Sequence, residues 1–444
     1  MLARVEATSA VQGQEPVQVR PRVFLILQGP PSGFFKSLAK EIDRQGAHAI
    51  KVNLNSGDWL YSLGMNTVNF RGSSAEWPSW VREFARARNV TDLVVYGDCR
   101  EYHKVAISIL KPLGVVVHVL EEGYVRPAWI TYERNGVNGF SRLADMSLAD
   151  IDAGRVDAAE VDMGRNINGT MWSYIFNGML YYAATYWTRP AFPYYRNHRP
   201  QGIIEEAWTW LKRIPALPKV RFDARLRGAR IARGKSPYFL VLLQLAGDFQ
   251  MREHSGFRSI SEFIELCIRS FAVSAAPDER LVFKSHPLDP NALDLKKEIN
   301  SIAKHYGIEG RCVLIDGGKL AYLTDNARGV VAINSTACQV SIRRGVPTKV
   351  LGRAIYNHRP LAASGSLEDF FKQPEAPDVD AYDLFHRFLL LTVQINGSFY
   401  SREGTELAVP LLVEKMMAQH DPIVPFVRSK PLEVTEASAA ATGT

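Results

Sequence analysis

The sequence VVVHVL at residues 115–120 is followed at once by EEGYVRP at residues 121–127. A short apolar run rich in valine predicts a buried strand. The acidic pair Glu121 and Glu122 then lies at the carboxyl end of that strand, where parallel α/β sheets bind their ligands. Adjacent side chains of a strand point in different directions. One carboxylate can therefore face a cleft as base or nucleophile, while backbone or a cation holds the other.

Further strands and helices alternate around this stretch. Residues 23–27, 49–54 and 93–96 are predicted strands, and helices fit residues 34–42 and 103–110. This repetition of strand, loop and helix predicts a parallel sheet with helices on both faces.

A second series of the same kind begins near residue 236. Its predicted strands span residues 238–243, 281–284, 312–315, 329–333 and 348–351. The predicted fold class is therefore α/β, with two Rossmann-like domains and a cleft between them.

The chain has 444 residues, which is too long for one ordinary core and suits two domains. The segments that join and flank these domains differ in composition, so that boundaries can be placed. The predicted organisation is a disordered lead (1–20), a first domain (21–164), a helical insert (165–235), a second domain (236–400), a C-terminal helix (401–431) and a disordered tail (432–444).

The insert combines an uncharged aromatic stretch with a basic one. Residues 166–188 carry no charge, and Trp172 and Trp187 lie on one predicted helical face. Residues 212–235 hold nine Lys or Arg and one acid. The arginines include Arg221, Arg225, Arg227 and Arg230. Aromatic residues beside basic clusters are typical of a surface in the interface of an anionic bilayer. The alternative is an inter-domain helical insert with a solvated basic face.

The composition of the chain indicates which kinds of binding partner and which cellular compartment to expect. The formal net charge of +7 favours anionic partners such as a nucleotide-sugar or an acidic membrane. The sequence disfavours a nucleic-acid partner, because the basic cluster does not belong to a known nucleic-acid-binding motif. The four cysteines form no CxxC pair, so no metal site is predicted and a reducing compartment fits. The first twenty residues show no apolar segment, which predicts no secretory signal and cytoplasmic residence.

Polar motifs follow the predicted strands of the second domain. Lys284, His286 and Pro287 come after residues 281–284, and a histidine backed by proline can bind or protonate a phosphate. The alternative is an ordinary loop histidine at a turn. Gln244 and Asp248 occupy the corresponding strand end at residues 238–243.

A hydroxyl-rich turn, Asn334-Ser335-Thr336, follows the apolar run at residues 329–333. Hydroxyls at a strand-to-helix turn would cap the helix and leave its N-terminal amides for a phosphate. The alternative is a plain N-cap.

The first domain offers small and polar residues at its strand ends. Gln28 and Gly29 follow the first strand, and the glycine is expected to leave room for a sugar. Asn53, Asn55 and Asp58 follow the second strand and add polar groups to the same edge.

At LQGPP (27–31), VNLNSGDW (52–59), EEGYVRP (121–127) and GVNGFS (136–141), the chain resembles the capsule polysaccharide biosynthesis family. The resemblance is to its β-Kdo transferases, which start the lipid-linked Kdo linker of capsules. The motifs KSHP (284–287) and NST (334–336) also fit, and the resemblance covers most of residues 22–400. The acidic-pair-Gly and His-Pro motifs are shared with bacterial sialyltransferases, which use CMP-sialic acid.

The resemblance implies a GT-B fold and a retaining transferase with CMP-β-Kdo as donor substrate and no cofactor. The first domain would face the acceptor and the second would hold the CMP-sugar. A phosphatidylglycerol-type lipid is the implied acceptor, which agrees with the interfacial insert. The implied location is peripheral, on the inner face of the cytoplasmic membrane, with other capsule-assembly proteins as partners.

Residue roles follow from the same resemblance. Glu122 would be the catalytic carboxylate at the anomeric carbon, with Glu121 as its neighbour. His286 would contact the CMP phosphate, with Ser335 and Thr336 nearby. Other branches of the family read Glu-Asp-Gly, with a shorter acid at the position of Glu122. Its role as nucleophile, base or electrostatic support is therefore left open.

Arg126 and Lys284 are the candidate cations for the donor's own carboxylate.

Two functions other than that of a Kdo transferase are compatible with the sequence. One is a non-enzymatic export or scaffold protein that binds lipid-linked polysaccharide through the basic insert. The other is a transferase of another sugar or one that extends a Kdo chain.

Overall fold

The structure is a computed structural model. It describes residues 21–167, 171–196, 217–234, 236–245, 251, 253–286, 289 and 292–428. The predicted lead (1–20) and tail (432–444) lie outside these residues, as do Asp248 and Pro287.

The first sheet has seven strands in the order β12-β6-β5-β4-β1-β2-β3. Its strands are β1 (Val23–Ile26), β2 (His48–Asn53), β3 (Thr67–Asn69), β4 (Asp92–Tyr96), β5 (Val116–Glu122), β6 (Trp129–Arg134) and β12 (Gln394–Asn396). The strands from β3 to β5 are parallel, whereas β6 is antiparallel to both β5 and β12. The expected parallel sheet is thus confirmed at its centre and extended by an antiparallel edge.

The second sheet has five parallel strands in the order β11-β10-β7-β8-β9. Its strands are β7 (Tyr238–Leu242), β8 (Arg280–Lys284), β9 (Cys312–Ile315), β10 (Gly329–Ala332) and β11 (Thr348–Val350). Each lies on a predicted apolar run, so the two Rossmann-like halves are confirmed.

The described helices surround the two sheets. They are α1 (Phe34–Arg44), α2 (Ser56–Tyr61), α3 (Trp77–Ala87), α4 (Glu101–Leu110), α5 (Ala153–Ala158), α6 (Met171–Trp187), α7 (Leu217–Ala232), α8 (Ile260–Ser274), α9 (Ala292–His305), α10 (Leu320–Thr324), α11 (Cys338–Arg343), α12 (Leu367–Lys372), α13 (Val379–Thr392) and α14 (Arg402–Met417).

Alternating side chains of the first sheet fill two separate cores. Phe24 and Ile26 pack among the buried side chains of α1 and α14, whereas Leu25 and Leu27 pack among those of α3 and α4. Full burial of such side chains contributes about 1.5–3 kcal/mol each. Because both faces of the sheet are covered, its strands are mostly apolar, and the few polar side chains within them, such as His118 and Glu133, are buried.

The chain returns to the first half before its end. Strand β12 pairs with β6, and α14 packs against α1. Residues 394–400 therefore lie with the first sheet, although the sequence places them in the second domain (236–400). The strand is only three residues long, with the sequence Gln-Ile-Asn, so it lacks the apolar run that reveals a buried strand.

The insert contributes α6 and α7. A Cβ on Gly57 of α2 would lie 2.7 Å from the ring of Tyr181 on α6, so only glycine permits this close packing. Helix α7 buries Ala224 against the second half. Among the described residues, no helix is both long and apolar enough to cross a bilayer.

Candidate functional site

The acidic pair ends strand β5 and its two carboxylates lie on opposite faces. Glu121 is paired with Thr131 and Glu122 with Ile130 on β6. Both glutamates are partly buried. Successive side chains of a strand alternate between the two faces, so these carboxylates have different neighbours.

Glu121 faces the loop that follows β4. Its Oε1 accepts a hydrogen bond of 3.2 Å from the backbone amide of Glu122. Burial raises the pKa of Glu121 to about 7, and the negative charges of Glu122 and Asp98 add to this rise, whereas Arg100 opposes it. A carboxyl group with a pKa near neutrality exchanges protons easily at physiological pH.

Glu122 faces two tyrosines that sequence reasoning missed. The hydroxyl of Tyr96 donates a hydrogen bond of 3.4 Å to Oε1 of Glu122, and the hydroxyl of Tyr400 lies 3.5 Å from that of Tyr96. Burial raises the pKa of Glu122, whereas the charge of Arg126 and the Tyr96 hydrogen bond lower it. The tyrosine at residue 96 ends β4, so its position beside β5 follows from the parallel pairing of the two strands.

The second sheet contributes cationic and neutral donors at the end of β8. Burial lowers the pKa of Lys284, and the charge of Asp316 opposes that effect. Burial also lowers the pKa of His286, and the charges of Lys284 and Arg126 lower it further. The imidazole of His286 is therefore neutral near pH 7 and offers one N–H donor.

Arg126 connects the two sides of the site. Its positive charge acts on Glu122 of the first half and on His286 of the second half. Charges act strongly only over short separations in a protein. Arg126 therefore lies close enough to Glu122 and to His286 for its charge to act on both, and the sequence predicts the three residues from separate motifs.

Two predicted donor-side amides bind each other. Gln244 Nε2 donates to Asn334 Oδ1 at 2.9 Å, and the backbone N–H of Asn334 donates to Gln244 Oε1 at 3.3 Å. This pair joins the ends of the neighbouring strands β7 and β10. Asp248 and Pro287, also nominated on this side, lie outside the described residues.

The hydroxyl turn differs from its predicted role as a helix cap. Helix α11 begins at Cys338 with Ala337 at its N-cap and no side-chain cap. Ser335 Oγ instead accepts the amide of Ala337 at 3.3 Å. The amides of Cys338 and Gln339 donate to backbone carbonyls of the turn at 3.0 and 3.1 Å. The prediction that this turn leaves the N-terminal amides available is wrong at these two positions, because the turn itself uses them.

The predicted acceptor-side residues form a buried hydrogen-bond cluster with the insert. The hydroxyl of Tyr181 accepts from Gln28 Nε2 at 2.7 Å and from Asn55 Nδ2 at 2.8 Å, and it donates to Asp58 Oδ1 at 3.0 Å. The hydroxyl of Tyr195 accepts a second bond from Gln28 at 3.0 Å. The sequence missed both tyrosines, since nothing in their spacing relates them to the first strand.

Two other acceptor-side residues have structural partners. Asn53 donates to Asn69 Oδ1 at 2.9 Å and accepts from Ser62 Oγ at 3.0 Å. A Cβ on Gly29 would lie 2.6 Å from the ring of Phe35, so the glycine makes room for a phenylalanine of the same domain. The expectation that Gly29 leaves space for a sugar stays a prediction.

The insert presents an apolar surface and a basic surface. Trp172 and Trp187 of α6 are each 78% exposed, and Phe176, Met179 and Leu180 are exposed on the same helix. Arg225, Arg227 and Arg230 are exposed on α7, which also carries Arg221. We call the exposed residues of α6 and α7 together the insert surface.

The insert surface adjoins the acidic pair. Ser173 Oγ of α6 donates to the carbonyl of Tyr400 at 2.7 Å. The ring of Tyr174 packs edge-on against that of Tyr400, with centroids 4.8 Å apart. Tyr400 in turn lies beside Tyr96 and Glu122, so one tyrosine links the insert surface to the acidic pair.

Two facing Rossmann-like halves, with ionisable groups at the strand ends of both, define a GT-B-like α/β protein. The chain belongs to the family of capsule polysaccharide biosynthesis proteins, which matches residues 91–400.

Individual relatives agree with this assignment. The chain is 30% identical over 387 residues to the capsule polysaccharide export protein KpsS of Escherichia coli, with 85% of this chain and 96% of KpsS covered. It is 30% identical over 385 residues to the capsule polysaccharide modification protein LipB of Neisseria meningitidis, with 85% and 91% covered. A solved structure of Thermosulfurimonas dismutans KpsC, a β-Kdo 2,7-transferase, matches 89% of this chain and 100% of its own at 13% identity and a TM-score of 0.40.

Proposed function

We propose that the protein is a retaining glycosyltransferase that moves β-Kdo from CMP-β-Kdo to a phosphatidylglycerol-type lipid during capsule assembly. The observation that supports this proposal is that the charge of Arg126 acts both on Glu122 of the first half and on His286 of the second half. A carboxylate on one side and a phosphate-binding donor on the other are the groups that transfer from an activated sugar requires.

The leaving group is handled by the second half. CMP departs readily once its phosphate is hydrogen-bonded or neutralised. The neutral His286 donates a hydrogen bond to a phosphate oxygen, and Lys284 supplies positive charge from the same strand end. Ser335 and Thr336, both partly buried, offer hydroxyl donors after β10.

The sugar is handled by the first half. As the bond to the phosphate breaks, positive charge develops at the anomeric carbon, and the carboxylate of Glu122 stabilises or traps it. Retention then needs a second displacement by the acceptor hydroxyl. Glu121, with a pKa of about 7, is the neighbouring group suited to take up that hydroxyl's proton. Arg126, whose charge acts on both Glu122 and His286, is the proposed partner for the carboxylate of Kdo.

The acceptor lipid is supported by the insert surface. Exposed tryptophan and phenylalanine beside arginines favour the interface of an anionic bilayer. Through Tyr400 this surface adjoins Glu122, which supports the proposal that a lipid headgroup is presented to the acidic pair. The proposed location is therefore peripheral, on the inner face of the cytoplasmic membrane, alongside other capsule-assembly proteins.

The test is mass spectrometry of the purified protein incubated with CMP-Kdo, generated in situ, and a fluorescent lysophosphatidylglycerol. A product heavier by one Kdo, absent with His286→Ala, supports the transferase and its acceptor together. Binding of CMP without product points to another acceptor or sugar.

A second candidate function is suggested by the name of the Escherichia coli relative, which is called an export protein. This is a non-enzymatic scaffold that holds lipid-linked polysaccharide through the insert surface. Absence of both product and CMP binding in a folded protein would favour the scaffold.

A further inference from the structure

A buried group of three potential metal ligands lies where the two halves meet. Asp98 and Cys99 follow β4 of the first half, and His254 precedes α8 of the second half. Their exposed fractions are 5%, 7% and 2%. The cysteine and the histidine are 155 residues apart in the chain, so the fold alone brings them together.

The ligand atoms have the spacing of a coordination site. Cys99 Sγ lies 3.2 Å from Asp98 Oδ1 and 3.4 Å from His254 Nε2, and the three atoms all lie within 4.8 Å of one another. Tetrahedral zinc, with bonds of about 2.3 Å to sulfur and about 2.0 Å to nitrogen or oxygen, separates its ligand atoms by about 3.5 Å. The three side chains therefore need little movement to bind one ion.

The charge balance of this group favours a cation. The carboxylate of Asp98 accepts hydrogen bonds from the backbone amide of Val137 at 2.8 Å and from the thiol of Cys99 at 3.2 Å, and no lysine or arginine in the described ranges forms an ion pair with it. The acids Glu121 and Glu253 are further negative charges that act on Cys99. A buried carboxylate without a cationic partner is costly, and a divalent ion removes that cost.

The imidazole of His254 is held in place by its surroundings. Its backbone carbonyl accepts the amide of Arg353 at 2.8 Å. Its ring packs edge-on against Phe140 with centroids 4.5 Å apart. A Cβ on Gly139 would lie 2.4 Å from its Nδ1. A ring fixed on all these sides loses little freedom when it binds a metal.

We infer that Asp98, Cys99 and His254 bind one divalent transition-metal ion of the zinc type, which joins the two halves of the protein. Thiolate, imidazole and carboxylate are the ligands that zinc accepts, and three protein ligands leave a fourth position for water. On binding, the thiol proton of Cys99 passes to solvent and the thiolate bonds to the metal. This inference goes beyond the proposed transfer reaction and does not depend on it.

The experiment uses the full chain without an affinity tag, freed of metal by a chelator and titrated with Co²⁺. Cobalt replaces zinc in such sites and gives a thiolate-to-metal absorption band in the near ultraviolet. We expect saturation at one Co²⁺ per chain, with that band, and displacement by Zn²⁺. Cys99→Ser should lose the band, and His254→Gln should bind at least about tenfold more weakly. Cys312→Ser, which removes another buried cysteine, should behave as the wild type.

Absence of the band in the wild type would overturn the inference, as would equal Co²⁺ affinity in Cys99→Ser. The contact between Cys99 and His254 would then be an ordinary hydrogen bond between the halves. If a variant does not fold, judged by circular dichroism, the wild-type spectrum still decides. Because neither CMP nor a sugar is present, the result is independent of the transferase test.

Discussion

The hydroxyl of Tyr181 donates a hydrogen bond of 3.0 Å to Oδ1 of Asp58, which ties α6 of the insert to the strand ends of the first sheet. The same oxygen accepts bonds from Gln28 and Asn55. It therefore satisfies three buried polar groups at once. Gln28 follows β1, whereas Asn55 and Asp58 lie at the start of α2. Tyr181 therefore holds the insert surface in position relative to both of these elements of the first half.

Tyr181→Phe should destabilise the protein, because it leaves Gln28, Asn55 and Asp58 buried with fewer partners. The expected loss in free energy of unfolding is about 1–3 kcal/mol, measured by urea denaturation. Tyr186→Phe, on the same helix but 46% exposed, is the matched control and should change little. Equal stability of Tyr181→Phe and wild type would show that the cluster is not a structural tie.

Glu122→Gln should abolish transfer while folding and CMP binding persist. The amide cannot stabilise or trap the anomeric centre, so turnover should fall about a thousandfold or more. The assay is product formation by mass spectrometry, with CMP binding followed by calorimetry. Glu375→Gln, an exposed residue paired with Arg359, serves as the control. Near-normal turnover of Glu122→Gln would refute the catalytic assignment.

The strands and their ends could largely be predicted from sequence, because buried parallel strands are continuous apolar runs and polar motifs directly follow them. The motif around Glu122 and the one around His286 were located in this way. Their approach to each other follows from the two-sheet architecture, which the resemblance implied. Their catalytic roles stay predictions.

Contacts made between distant segments could not be predicted in this way. The edge strand β12 is too short and too polar to show a strand pattern. Tyr181 is one of several tyrosines in an uncharged stretch, and only packing against Gly57 distinguishes it. The same holds for Cys99 and His254, whose separation in the chain matches no metal motif. Such sites depend on the relative position of whole elements.

Reversing the charge of the basic helix should release the protein from anionic membranes. The change is Arg225, Arg227 and Arg230 to Glu, and each basic residue near such a surface contributes about 1 kcal/mol. Binding to phosphatidylglycerol vesicles, measured by cosedimentation, should weaken about a hundredfold or more. The charge-matched control reverses Arg82, Arg86 and Arg88, which are exposed on or next to α3. Unchanged cosedimentation of the α7 variant would contradict the interfacial interpretation.

Arg126→Gln should raise the pKa of both Glu122 and His286. In the wild type, the positive charge of Arg126 favours the ionised carboxylate of Glu122 and disfavours the imidazolium of His286. Its removal therefore raises the pKa of both groups. The upward shift for His286 is followed by NMR titration of its ring protons. Arg359→Gln, an exposed arginine, should leave the titration as it is. An unaltered His286 titration in Arg126→Gln would show that the charge of Arg126 does not act on His286.

Glu133→Gln should remove a pH dependence of stability that the wild type shows between about pH 4.5 and pH 8. Glu133 is buried on β6, where Oε1 accepts the hydroxyl of Tyr124 at 2.6 Å and Oε2 accepts that of Ser141. Burial raises its pKa from 4.5 to about 8, although the two hydroxyl bonds oppose this rise.

The folded state therefore keeps the proton of Glu133 in this pH range, whereas the unfolded state has released it. The contribution of this proton to the free energy of unfolding is fully present below pH 4.5. It is lost as the pH rises to about 8, by at most about 1.4 kcal/mol per pH unit. Glutamine carries no such proton, so the advantage of wild type over Glu133→Gln should shrink across this window and level off above it. Urea unfolding at pH 5, 6, 7 and 8 measures the difference, with Glu375→Gln as the exposed control. Parallel stability curves for wild type and Glu133→Gln would mean that Glu133 is ionised in the folded protein.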